Sequence, residues 1–358
     1  MKEFMKEHRA ILIYADGNPD IATGHLMRCL SIADALRSLG ADAEFAVSDE
    51  TSRVLLSSFS REEEGYPIHV LHADYRKPEG SLAALTRLLG GGHPVRPVPG
   101  SRFCCLLIDS YFVTEAFLEA LRPLVRTAFL DDLYAFDYPV DLVINYDFAP
   151  PESFYTKAGK KLLGCRFTPL RAQFAGLSPV FRKEVGDLLI STGGTDTYDV
   201  AGRLASSLLA SSGSVSWRIH VLTGTMHSCR AKLEALAASH PQLLLHENVK
   251  DMAALMGSCD LAVSAAGTTL YELCAAGVPA VSFTLADNQL PCARDMRRFA
   301  GVPYAGDARN APELIDTLSS LLFSLAENPG KRGALARSMH ASIDGRGAAR
   351  IARGLLAL

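Results

Sequence analysis

The chain has 358 residues, 48% of them apolar, and a formal net charge of −3. That length suits two domains of ordinary size, each able to bury a core. The balanced charge, with no Lys/Arg-rich run, argues against a nucleic-acid partner, and no run approaches the roughly 18 apolar residues of a transmembrane helix.

In chain order, the segment Met1 to Arg9 is charged and lacks the apolar stretch of a signal peptide. Ile11–Ala15 then reads as a strand. Leu26, Cys29, Leu30, Ala33 and Leu36 share one face at helical spacing, which predicts a helix over Leu26–Leu39 with Gly40 as its stop. Further strands are predicted at Ala43–Val47, Ile68–Leu71, Phe103–Ile108, Arg126–Leu130 and Leu142–Ile144. The helices between them are Thr51–Phe59, Ser81–Leu89 and Thr114–Leu121. Gly90-Gly91-Gly92 and the prolines up to Pro99 mark a surface loop.

The second half repeats the theme. Strands are expected at Asp187–Ser191, Arg218–Leu222, Leu243–His246, Leu261–Ser264 and Ala280–Phe283. Helices are expected at Tyr198–Ala210, Arg230–Ala238, Met252–Met256, Thr269–Ala276, Gln289–Phe299, Ala311–Leu325 and Gly347–Leu356. The alternation predicts parallel, doubly wound sheets of the α/β class. Phe148-Ala149-Pro150-Pro151 opens a mixed stretch in which the domains divide, as 1–165 and 166–358. The cysteines, Cys29, Cys104, Cys105, Cys165, Cys229, Cys259, Cys274 and Cys292, are scattered without a C-x-x-C pair. They read as thiols of a cytoplasmic protein rather than as a disulfide or zinc framework.

Four constellations could carry chemistry. Gly24 and His25 sit where the first strand hands over to the first helix, a position that opens onto the ligand crevice of an open α/β sheet. The positive end of a helix disfavours imidazolium, which suits a general base, and Asp16 just after the strand is expected to orient the ring. Asp109-Ser110-Tyr111 and Asp131-Asp132 follow two further strands. The first group points into the crevice; the second is expected to be structural or to bind substrate, a vicinal pair being weak evidence for a metal. Ser191-Thr192-Gly193-Gly194-Thr195-Asp196 joins a strand to a helix, and its glycines would let backbone N–H groups approach a phosphate. Ser264-Ala265-Ala266-Gly267-Thr268-Thr269 repeats that order. Glu272 beyond it could accept hydrogen bonds from ribose hydroxyls, and Asn288-Gln289 could serve sugar hydroxyls and N-acetyl groups. Each also fits a capped turn when read alone; together they suggest a nucleotide-sugar site.

With these blocks the chain resembles a known family, the nucleotide-sugar hydrolases of pseudaminic acid biosynthesis, which cleave UDP-2,4-diacetamido-2,4,6-trideoxy-β-L-altropyranose. The resemblance rests on Ala15-Asp16-Gly17-Asn18, Ile21, Thr23-Gly24-His25-Leu26-Met27-Arg28-Cys29-Leu30, Asp109-Ser110-Tyr111, Asp131-Asp132, Leu170-Arg171, Gly193-Gly194-Thr195-Asp196, Ser264 to Thr268, Glu272, Asn288-Gln289 and Asp344-Gly345-Arg346-Gly347-Ala348. That family is similar to the MurG-type UDP-GlcNAc transferases.

The resemblance implies the GT-B fold: two Rossmann-like doubly wound domains with an interdomain cleft, the last helix crossing back to the first domain. It implies that His25, with Asp16, activates water against the anomeric carbon. Gly24, Tyr111, Arg171, Asn288 and Gln289 would face the sugar. Gly193, Gly194, Thr195, Asp196, Val249, Ser264, Gly267, Thr268, Thr269 and Glu272 would hold UDP. No metal or other cofactor is implied, and no stable membrane association. The chain departs from the family at Tyr14, where an Arg is usual, and at Ala22, where a Gly is usual; its Gly90–Gly100 loop is also long. The lost guanidinium removes a strong charge-assisted donor. Two rivals stay open: a GT-B glycosyltransferase using an acceptor hydroxyl in place of water, and a nucleotide-sugar-binding protein without turnover.

Overall fold

The computed structural model describes residues 10–21, 23–59, 65–90, 102–179, 181–193, 195–211, 216–224 and 227–358. The charged start, Ala22, the Gly91–Gly100 part of the long loop and Gly194 lie outside them. Two compact units emerge: Met1–Ala172 with Arg346–Leu358, and Gln173–Gly345.

The first unit carries β1 (Ala10–Ala15), β2 (Asp42–Val47), β3 (Ile68–Val70), β4 (Phe103–Asp109), β5 (Arg126–Leu130), β6 (Leu142–Asn145) and β7 (Lys160–Leu163). They form one sheet in the order β3-β2-β1-β4-β5-β6-β7, and every pairing is parallel. The helices between them are α1 (Gly24–Ser38), α2 (Glu50–Phe59), α3 (Leu82–Leu88) and α4 (Glu115–Leu121). Alternate strand residues feed opposite cores. Ile11, Ile13, Ala15, Cys105 and Leu107 pack with α1, while Leu12, Tyr14, Leu106 and Ile108 pack with α4. Burial on both faces explains why the central strands read as continuous apolar runs.

The second unit holds β8 (Asp187–Ser191), β9 (Arg218–Leu222), β10 (Leu243–His246), β11 (Leu261–Ala265), β12 (Ala280–Thr284) and β13 (Tyr304–Asp307), again all parallel, in the order β10-β9-β8-β11-β12-β13. Its helices are α5 (Val200–Ala210), α6 (Arg230–Ser239), α7 (Met252–Ser258), α8 (Thr268–Ala276), α9 (Leu290–Asp295), α10 (Leu314–Ala326) and α11 (Pro329–Ser342). The strands β7 and β13 and the helix α11 are additions to the sequence reading.

The chain then returns to the first unit as α12 (Gly347–Leu356). Ile351, Ala352 and Leu355 are buried in the same core as Leu26, Ile32 and Leu36 of α1. The turn into α12 is tight: a Cβ on Gly347 would collide with the Thr168 carbonyl oxygen. The division thus falls after Ala172 rather than after Cys165, because Phe167 belongs to the first core.

Candidate functional site

The polar groups singled out in the first half collect at the carboxyl edge of the first sheet. Gly24 opens α1, and His25 behind it is 4% exposed. Its Nδ1 lies 2.6 Å from Oδ1 of Asp109, the last residue of β4. Arg28, one turn further along α1, grips the same carboxylate with the Nε–Nη2 edge of its guanidinium. Nε donates to Oδ2 at 2.6 Å and Nη2 to Oδ1 at 2.5 Å. Nη1 donates to Asp132 Oδ2 at 2.7 Å and to the Tyr146 hydroxyl at 2.6 Å. Asp109, Asp132 and Tyr146 stand at or just beyond the ends of β4, β5 and β6, which are neighbours in the sheet. One guanidinium therefore ties three successive strand ends to the helix that carries His25.

The electrostatics fix the state of this cluster. Burial by itself would raise the Asp109 carboxyl. The charges and hydrogen bonds of Arg28 and His25 outweigh it and hold the group well below the usual carboxylate range. Burial would likewise lower Arg28, but Asp109, Tyr146 and Asp132 reverse the effect. An ionised Asp109 only accepts hydrogen bonds, so Nδ1 of His25 donates to it, and in the neutral ring the lone pair is then on Nε2. Among the described residues no hydrogen bond reaches Nε2. The Tyr111 ring meets the imidazole edge-on with centroids 4.3 Å apart, and its hydroxyl lies 3.4 Å from Asp132 Oδ2. Burial and Asp132 push that hydroxyl up, so it stays a neutral phenol.

Asp16 does not orient His25, contrary to the sequence expectation. Its oxygens accept from the Ser48 backbone N–H at 2.6 Å and from the Ser48 hydroxyl at 2.7 Å. The reason is strand alternation. Asp16 is in phase with Leu12 and Tyr14, which face away from α1; Asp109 is in phase with Cys105 and Leu107, which face it. Burial raises the Asp16 carboxyl, and the bonds to Ser48 oppose this only in part. Asp16 thus latches β1 to the end of β2. Tyr14, in the place of the family's Arg, is buried and 3.2 Å from the Ser48 hydroxyl; burial and Asp16 push its phenol up to about 12. Asp131 is also structural, accepting from the Leu133 and Tyr134 N–H groups and from the Tyr138 and Tyr155 hydroxyls.

In the second unit, Gly193 has φ +81°, a conformation that favours glycine. Thr195 offers its carbonyl to the Ser228 N–H and hydroxyl at 2.8 and 2.7 Å. Asp196, expected to face UDP, is fully buried. Its two oxygens accept from the N–H groups of Val200 and Ala201, both at 2.9 Å. The positive end of α5 is thereby occupied by a protein carboxylate, which leaves it a poor anion site. His227 Nε2 lies 3.5 Å from the same carboxylate.

The start of α8 is different. Gly267 precedes it, no side chain caps it, and no acidic residue lies in its first turn. Ser264 is buried, its hydroxyl 2.9 Å from the Ala265 carbonyl. Thr268 is exposed, Thr269 half-buried, and Glu272 is buried in the second turn. Val249 is half-buried beyond β10. Asn288 is exposed in a short turn, whereas the Gln289 side-chain carbonyl accepts from the Leu285 N–H at 2.7 Å, leaving only its amide to donate outward. Arg171 is half-buried next to the division between the units.

The sequence reading missed Arg28 and Tyr146 as members of the cluster, and Asp109 as the partner of His25. The alternation of β4 carries the last signal. Among the described residues no three His, Cys, Asp or Glu side chains gather as metal ligands, and no helix is long and apolar enough to cross a membrane.

No model of a known protein family matches the chain. The structure is similar to that of MurG from Acinetobacter baumannii, with a TM-score of 0.67 and 15% identity over 98% of this chain and 100% of that one. The fold is GT-B. UGT2 of Phytolacca americana, solved with UDP-2fluoro-glucose and pterostilbene, gives a TM-score of 0.64 at 11% identity over 98% and 99% of the two chains. UDP-GlcNAc 2-epimerase of Neisseria meningitidis, bound to UDP-GlcNAc, gives 0.59 at 14% over 98% and 100%. In sequence, an uncharacterized protein of Methanocaldococcus jannaschii is 23% identical over 305 residues, which is 80% of this chain but only 57% of that protein.

Proposed function

We propose that the chain is a nucleotide-sugar hydrolase. It cleaves UDP-2,4-diacetamido-2,4,6-trideoxy-β-L-altropyranose, or a close UDP-diacetamido sugar, at the anomeric C1–O bond. The observation that carries the reading is the buried His25–Asp109 pair with Arg28 beside it. Asp109 accepts a hydrogen bond from Nδ1–H, so Nε2 is the basic nitrogen, and Arg28 keeps Asp109 an acceptor. Nε2 removes a proton from water as the oxygen bonds to C1; the C1–O electron pair leaves with UDP, and the proton returns to solvent afterwards. Tyr111, beside the imidazole, lines the sugar side with Gly24, Arg171, Asn288 and the Gln289 amide. The open start of α8, from Gly267 to Thr269, supports a diphosphate role. Glu272 holds the ribose, Val249 lies by the base, and Ser264 braces the turn.

The test is turnover of the UDP-sugar in ¹⁸O water, with and without a sugar or lipid acceptor. Acceptor-independent UDP release with the label at C1 of the free sugar supports hydrolysis at carbon. Label in UDP overturns attack at C1. Release only with acceptor establishes a glycosyltransferase, and binding without release a nucleotide-sugar-binding protein.

A further inference from the structure

Beyond the Asn288–Gln289 turn, α9 runs into a π turn at Met296–Ala300, so Leu290 to Ala300 forms one short helix. Its inner side is apolar: Ala293, Met296 and Ala300 are buried, and Met296 Sδ touches Cys274 Sγ at 3.7 Å. Its outer side has a different composition. Leu290 and Phe299 are each 40% exposed near the two ends, roughly 14 Å apart at a helical rise. Between them stand the exposed side chains of Arg294, Arg297 and Arg298. The wide π turn leaves three consecutive residues, Arg297 to Phe299, on the surface.

Two of the three charges on this face, those of Arg297 and Arg298, are not neutralised locally. Arg294 has one partner, Asp295 at 3.1 Å. Arg297 and Arg298 have no carboxylate within ion-pair distance among the described residues, although the chain as a whole is net negative. A groove of about 510 Å³ lies on the Leu290 side of this helix, lined by Asp287, Leu290, Pro291, Ala293, Arg294, Arg297 and Tyr304. Asp287 is occupied by Arg309 at 2.6 Å. Arginine heads on apolar stems, flanked by a leucine and a phenylalanine, match a surface whose headgroups are anionic and whose next layer is hydrocarbon.

We propose that the outer face of α9 is a docking surface for an anionic lipid bilayer. Three arginines and two apolar anchors give weak, reversible and salt-sensitive attachment, distinct from the stable membrane association that the sequence argued against. A nucleic acid would use the arginines but leave Leu290 without a role. The proposal does not depend on the UDP-sugar reading, because the binding is measured without turnover.

The experiment is co-sedimentation of the full chain with vesicles of phosphatidylglycerol and phosphatidylcholine, against phosphatidylcholine alone, at about 50 mM salt. Binding is expected only to the anionic vesicles, with partitioning reduced roughly tenfold or more in Arg297→Ser/Arg298→Ser. The exposed positions are chosen so that folding is unaffected, and an unchanged circular dichroism melt checks this. A Phe299→Trp variant should show a blue-shifted emission on the anionic vesicles. Equal partitioning into both vesicle types, or full retention in the double arginine variant, overturns the proposal. So does an unshifted emission from the Phe299→Trp variant, or binding of a short RNA through the same arginines without vesicle binding.

Discussion

His25 and Asp109 are 84 residues apart in the chain and 2.6 Å apart in space. The contact joins the first turn of α1 to the last residue of β4, the strand beside β1. In a parallel sheet adjacent strand ends come level, and Ala15 is in register with Asp109. The carboxylate therefore arrives beside the helix that follows β1. The geometry is a product of the topology and is fixed by Arg28.

Asp109→Asn is expected to cost about 3–5 kcal/mol of stability at neutral pH, since it leaves Arg28 buried with an uncharged partner. The folded carboxyl titrates below its unfolded value of about 3.9, so the unfolded chain takes the proton first. The contribution is then complete above about pH 4 and fades as the pH falls further. Urea unfolding of both proteins at several pH values measures it. A difference that stays constant well into the acid range would show that Asp109 is not held ionised.

His25→Ala should lower turnover roughly 10²–10⁴-fold, the ordinary scale of general-base catalysis. UDP affinity by calorimetry should be unchanged, because the proposed nucleotide contacts belong to the other unit. Near-full activity in this variant excludes His25 as the base.

Asp16→Asn separates the latch from the chemistry. It should reduce stability by about 1–3 kcal/mol through the bonds to Ser48. In the folded protein the pH dependence of turnover should keep its wild-type shape. A shifted acidic limb would return Asp16 to the catalytic group.

Asp196→Ala and Glu272→Ala should divide along different lines. The first removes a cap from α5 and should cost about 0.5–2 kcal/mol of stability with little effect on UDP binding. The second should weaken UDP binding by about 1.5–3 kcal/mol, the range for a hydrogen bond to a charged group. Calorimetry and thermal melts of both proteins make the comparison. The reverse pattern would assign the phosphate role to Asp196.

The elements legible in the sequence are those buried on both faces. β1, β4, β8 and β11 read as apolar runs because helices cover each side. β7 was missed because it is an edge strand that begins Lys160-Lys161, and β13 because it is an edge strand interrupted by Gly306. The helix α11 carries Gly330, Lys331, Arg332 and Gly333 in its first turns, which hides its apolar face. At the site, His25 was legible from a local junction of strand and helix. Its true partner was not, because Asp16 is near in sequence while Asp109 is brought in by the sheet. The cap formed by Asp196 was hidden for a similar reason: a Gly-Gly-Thr-Asp block reads as a phosphate loop until the direction of the carboxylate is known.

The place of α12 bears on how the molecule is made. Its residues Ile351, Ala352 and Leu355 complete a core begun by Leu26 and Leu36, and the whole second unit intervenes between them in the chain. On the ribosome the first sheet is translated early, but the groove beside α1 stays uncovered until the second unit has been translated. Such distant pairing is slow to form and leaves apolar surface open meanwhile. The second unit, continuous in sequence, has no such wait and can reach its folded state ahead of the unit that was translated before it.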